Sequence, residues 1–140
     1  MADRTWRSNR TNPFLRISLQ GKNNRLLVGK DVLRVLGAPK YITFRVNRQM
    51  DSILIECVEE RHNLSFKVPA EVMEGYEKQM YITSESFVLG LMVRNGLDVT
   101  KTYELPGIYS EKNNAVVFNF SDCEMFIGDS TQDRDEDVPG

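Results

Sequence analysis

The sequence predicts a sheet-rich α+β fold in which two strand-helix-hairpin repeats pack as an intrachain pseudo-dimer. Three observations carry that expectation. Short segments with an apolar residue at every second position recur along the chain, which is the period of half-buried strands. Two brief helical patterns, each stopped by a glycine, stand between them. The order strand, capped helix, glycine, strand, turn, strand occurs twice, over Leu26 to Cys57 and again over Met80 to Phe120. One such unit of about 40 residues is too small to bury both faces of its own sheet, and two copies in one chain complete each other's core. The repeat is one of pattern rather than of residue identity.

The elements follow in order. Phe14-Leu15-Arg16-Ile17-Ser18-Leu19 alternates, with Leu15, Ile17 and Leu19 on one face, and Gln20 to Asn24 ends this strand. Arg25 to Val28 is a second short strand. Gly29-Lys30-Asp31 opens a brief helix with Val32, Leu33, Val35 and Leu36 as its apolar face, stopped by Gly37 at C′ and Pro39 beyond. Tyr41 to Val46 and Ile53 to Val58 make a hairpin about the turn residues Asn47 to Ser52. After the polar connector Glu59 to Asn63, Leu64 to Val68 reads as a strand, and Pro69 starts a short helix through Met73. Gln79 to Thr83 is a strand and Ser84 an N-cap with Glu85 in the first turn. Phe87, Val88, Leu91 and Met92 form the apolar face of a helix that Asn95-Gly96 closes. Lys101 to Leu105 leads through the turn signal Pro106-Gly107 toward Glu111 to Asn114. The last strand carries Val116, Phe118 and Phe120 on one face.

With 140 residues, 41% of them hydrophobic and 27% charged, the chain suits one globular domain and excludes wholesale disorder. The expected organisation is a disordered basic arm at 1–12, one domain at 13–127 made of two repeats (13–58 and 64–121), and a disordered acidic tail at 128–140. The N-terminal residues lack the apolar stretch of a signal peptide and no apolar run is long enough to span a membrane, so a cytoplasmic location is expected. Cys57 and Cys123 stand apart from any Cys/His cluster and read as buried free thiols, with no metal site and no disulfide.

Charge is the second informative feature. Residues 1–48 hold eleven Lys/Arg against Asp3 and Asp31, a balance of +9, and residues 49–140 hold seven against eighteen acids, a balance of -11, together the net -2. Such a chain can turn a basic surface toward a polyanion, or pair head to tail with a second copy as a homodimer. For DNA, Arg16, Lys22, Arg25, Lys30, Arg34 and Arg45 supply phosphate contacts, and Arg4, Arg7 and Arg10 of the arm suit a minor groove. Catalysis has little to stand on. His62 lies beside Glu59, Glu60 and Arg61 in a polar connector, and no nucleophile elbow, zinc-protease motif or phosphate-binding glycine loop occurs. A non-enzymatic protein without cofactor is expected. Tyr76, Tyr81, Tyr103 and Tyr109 fall in the acidic part and are assigned to packing rather than to base stacking.

The stretch Arg25-Leu-Leu-Val-Gly-Lys-Asp-Val-Leu-Arg34-Val-Leu-Gly37 resembles the signature of AbrB/MazE/SpoVT-type swapped-hairpin DNA-binding domains over about residues 14–57, with a weaker echo at about 80–120. That family's pattern reads Gly-Arg, an apolar triplet, Pro, a short helix, Arg, an apolar residue and Leu-Gly before a hairpin. The resemblance implies that Arg25 and Arg34 contact DNA and that the protein is a bacterial transcription regulator. Asn24 and Gly29 stand where the family has Gly and Pro, and Ser84-Glu85 opens the second helix without a basic residue. The alternative is a small phage or mobile-element protein of the anti-defence or anti-CRISPR type. It would inhibit a basic host nucleic-acid-binding protein through Glu71, Glu74, Glu77 and Glu85.

Overall fold

The computed structural model describes residues 11–61 and 65–126. Arg4, Arg7 and Arg10 of the arm, His62 and the acidic tail from 128 onward lie outside the described residues. The strands are β1 (Asn12–Gln20), β2 (Arg25–Gly29), β3 (Tyr41–Val46), β4 (Ser52–Val58), β5 (Ser65–Lys67), β6 (Gln79–Thr83), β7 (Thr102–Ser110), β8 (Ala115–Asn119) and β9 (Glu124–Met125). Three helices, α1 (Lys30–Val35), α2 (Ala70–Glu74) and α3 (Glu85–Arg94), and a 3₁₀ turn at Phe120–Asp122 complete the described elements. No helix among these residues is long and apolar enough to cross a membrane.

The fold is sheet-rich α+β. One antiparallel sheet curls into a half-barrel in the order β5-β3-β4-β8-β7-β1-β2-β6, and β9 also pairs with β7. Each strand of one half pairs with a strand of the other: β1 lies on β7, β2 on β6, β3 on β5 and β4 on β8. The hairpins share a register. Phe44↔Ile55, Arg45↔Leu54 and Val46↔Ile53 in β3–β4 are matched by Gly107↔Phe118, Ile108↔Val117 and Tyr109↔Val116 in β7–β8. Each residue of the second set follows its counterpart by the same number of positions. Across β4–β8, Leu54 faces its own counterpart, Val117.

Backbone chemistry fixes the ends of these elements. α1 and α3 close alike: Gly37 and Gly96 take the left-handed conformation (φ +93° and +69°) that only glycine adopts without strain. The Gly37 N–H donates to the Arg34 carbonyl and that of Ala38 to Leu33, as Gly96 does to Val93 and Leu97 to Met92. At the other end of α3 the Ser84 hydroxyl accepts from the Phe87 N–H at 3.4 Å, the expected N-cap. The Lys30 N–H donates to the Lys78 carbonyl and the Ser84 N–H to the Asn24 carbonyl, each at 2.9 Å, so both helices spring from the β2–β6 pair in the same way.

The inward residues of the strands and the apolar faces of the helices form a single core cluster, which includes Ile17, Leu19, Leu33, Ile55, Leu91 and Phe118. Two sequence expectations are corrected here. β1 begins at Asn12, ahead of Pro13 and of the expected strand start at Phe14. Pro106-Gly107 is not a turn: both lie inside β7, which runs on to Ser110. The strand tolerates proline because the β1–β7 register shifts between Asn12 and Arg16, beside the point where Pro106 faces Arg16, and a missing N–H is accommodated at such an irregularity. Gly107 faces inward, where a Cβ would lie 2.6 Å from Val116 Cγ1 and 2.7 Å from Phe118 Cε2. The glycine thus leaves the room that Phe118, fully buried, fills.

Phe118→Ala is expected to lower the free energy of unfolding by about 3–5 kcal/mol through a cavity that the sheet cannot close. Gly107→Ala is expected to cost about 1–3 kcal/mol by overpacking. Urea denaturation reads both as a shifted midpoint with an unchanged slope.

Candidate nucleic-acid interface

Alternation along the strands decides what faces solvent. On β1 the inward Leu15, Ile17 and Leu19 leave Arg16, Ser18 and Gln20 outside. The pairs Ser18↔Leu27 and Gln20↔Arg25 place Leu27 and Arg25 of β2 on that outer side, and Arg25↔Thr83 and Leu27↔Tyr81 extend it onto β6. Arg25 lays its guanidinium over Tyr81, 4.4 Å from the ring centroid, a cation–π contact that orients the side chain along the sheet.

Lys22 sits in the β1–β2 turn. A Cβ on Gly21 would fall 1.9 Å from the Val99 carbonyl oxygen, so the turn settles on the loop before β7 only because that residue is glycine. The loop itself is tied by Asp98, whose carboxylate accepts from the Thr100 N–H at 2.9 Å and hydroxyl at 2.6 Å. Those bonds hold its carboxyl below the usual aspartate range.

At the far end of the same face a cleft of about 560 Å³ opens between β1, α1 and the segment leading into β6. Arg16, Lys30, Arg34 and Lys78 line it. Arg16 pairs with Glu104 at 3.1 Å and Arg34 with Asp31 at 3.2 Å, while the Lys30 ammonium donates to the Gly75 carbonyl at 3.4 Å. The arginine side chains in these pairs are 54% and 60% exposed. Pairs this open contribute about 0–1 kcal/mol each, so a phosphate can replace either carboxylate at small cost. Phe14 and Tyr76, both exposed, stand at the rim.

Five of the six sequence-predicted body cations, Arg16, Lys22, Arg25, Lys30 and Arg34, therefore lie along one outer strip of β1, β2 and α1. Arg45 does not. It is on β3, four strands from β1 in the sheet order, and pairs with Glu56 at 3.2 Å. The acids do not form one surface either. Glu71 and Glu74 are on α2, where they share a second cleft with Lys40 and Lys67. Glu77 lines the cationic cleft beside Lys78, and Glu85 starts α3 at the other end of β6.

The tyrosine assignment is corrected in part: Tyr103 is buried, but Tyr76 and Tyr81 are exposed, and Tyr81 works as the platform for Arg25. Lys78 is the contributor that the sequence does not single out. Lys78 sits in the acidic part of the chain, and only strand pairing brings it against α1 through the Lys30 N–H bond to its carbonyl.

Comparison with protein-family models, with curated proteins and with solved structures finds no match for this chain. The chemistry of the face is accordingly read from its own groups. These are guanidinium and ammonium donors on a half-open sheet surface with an aromatic platform, a set that binds phosphate oxygens and base edges. Among the described residues no group of three or more His, Cys, Asp or Glu is placed to hold a metal ion.

Cys57 and Cys123 are half-buried rather than buried. Burial pushes both thiols up, reinforced by Glu59 at Cys57 and by Asp122 and Glu124 at Cys123, where a backbone hydrogen bond opposes it. Iodoacetamide at pH 8 is expected to alkylate both several-fold more slowly than it alkylates the urea-unfolded chain, because only the thiolate reacts. Equal rates in the two states contradict this.

Proposed function

We propose that the chain is an AbrB-like swapped-hairpin protein that binds double-stranded DNA through the outer strip of β1, β2 and α1, as a regulator without catalysis or cofactor. One observation carries the reading: five cations scattered over the first part of the sequence converge on one solvent-facing strip. Arg25 to Gly29 along β2 spans roughly 13 Å at about 3.3 Å per residue, enough to follow about four base-pair steps of 3.4 Å. The surface ion pairs leave Arg16 and Arg34 free to exchange carboxylate for phosphate. Arginine at positions 25 and 34 adds the planar fork that suits guanine edges.

The pseudo-dimer arrangement is part of the proposal. Its support is the palindromic order of the six strands β5-β3-β4-β8-β7-β1 about β4 and β8, the shared hairpin register, and the matching glycine closures of α1 and α3. A fold of this kind is compatible with many activities, so the cationic strip and not the architecture supports the function.

Fluorescence anisotropy with mixed-sequence duplex DNA at two salt concentrations tests the reading. Five phosphate contacts predict a log–log salt slope near -4 to -5. Arg25→Ala combined with Arg34→Ala is expected to flatten the slope by about 2 with little change in Tm, since exposed arginines contribute little stability. Arg45→Ala leaves the slope as it was. Absence of binding even at low salt overturns the proposal.

A further inference from the structure

The register that relates the two halves assigns four cations of the strip a counterpart, and these counterparts are uncharged. Leu27 pairs with Tyr81 across β2–β6, and about that pair Arg25 exchanges with Gln79. The Lys30 and Ser84 N–H groups make equivalent bonds, and Arg34 and Val93 occupy equivalent positions ahead of Gly37 and Gly96. Ile17 faces Leu105 on β7 as Phe66 faces Ile42 on β3, which matches Arg16 with Ser65. Arg16, Arg25, Lys30 and Arg34 thus correspond to Ser65, Gln79, Ser84 and Val93, of which Gln79 lines the cationic cleft itself and the other three lie outside its lining. Glu85 opens α3 directly after Ser84 of the second set, and Val93 of that set is 67% exposed.

A protein with twofold-related cationic faces meets inverted half-sites in DNA, because the symmetry of the protein is matched by that of the site. Here the backbone symmetry is kept while the charge symmetry is lost. Resting on the DNA-binding reading above, we infer that one copy of the chain engages duplex DNA through the first face only, so that its site carries no inverted repeat. The second face contributes neither counterion release nor base reading, since neutral side chains displace no cations from the phosphates.

Placing a negative charge on each face in turn tests this. Ser18→Glu sits among Arg16, Leu27 and Gln20 on the first face, and Val93→Glu alters an exposed position on the second. At about 150 mM salt, where screening acts over about 8 Å, Ser18→Glu is expected to weaken duplex binding at least tenfold. The second-face variant is expected to change it less than threefold. Equal weakening by both, or by neither, overturns the one-faced inference while leaving DNA binding intact. A parent protein that binds no duplex at low salt overturns the DNA-binding reading itself, and the inference with it. In a gain-of-charge variant, Val93→Arg is expected to steepen the salt slope by about 1, and an unchanged slope overturns the equivalence of the two faces.

Discussion

The interleaving of strands from the two halves of the chain is the constraint on which the rest of this structure depends. Neither half closes a sheet by itself: β1 needs β7, β2 needs β6 and β4 needs β8. The core is accordingly one cluster to which both halves contribute, Ile17 and Leu33 beside Leu91 and Phe118. Cooperative burial of this kind ties the position of every outer residue to pairings distant in sequence. That is how Lys78, far along the chain, comes to line a cleft with Arg16 and Arg34.

The same interleaving explains how much was legible in advance. Local signals reported faithfully on local structure. The glycines at 37 and 96 mark left-handed closures, Ser84 caps α3, and Gln79 to Thr83 is a strand with those bounds. The Pro106-Gly107 pair misled because its strand status is set by what lies across from it, a register shift in β1 and the Phe118 ring, and neither is written in the neighbouring residues. Charge was legible as a cluster but not as a field. Splitting the chain after Arg48 suggests a bipolar molecule, yet Arg16, Arg34 and Arg45 each have a carboxylate within 3.2 Å. Two of those carboxylates, Glu56 and Glu104, come from the acidic part of the sequence.

For the candidate site the consequence is a strip whose cations are held rather than saturated. Arg25 is aimed by an aromatic ring, and Arg16 and Arg34 by half-buried carboxylates. Preorganisation by weak surface contacts lowers the entropy lost on binding without adding a strong competitor for the phosphate. Arg45 illustrates the opposite case. It has the same residue type and a similar partner, yet it lies on a part of the curled sheet from which it cannot join the others.

The two halves share hairpin register but not surface charge, and the difference follows from where stability resides. Buried packing and left-handed closures each carry a kilocalorie or more, whereas exposed polar positions carry little. Where a large residue in one half meets a small one in the other, the volume is made up across the same pair: Phe44 with Ile55, Gly107 with Phe118. Compensation of this kind is demanded inside the core and nowhere outside it. Positions such as Gln79 and Val93 are free to differ from Arg25 and Arg34 without disturbing the sheet. One half of a proposed twofold fold can then keep a cationic strip while the other serves only to complete the core that holds it.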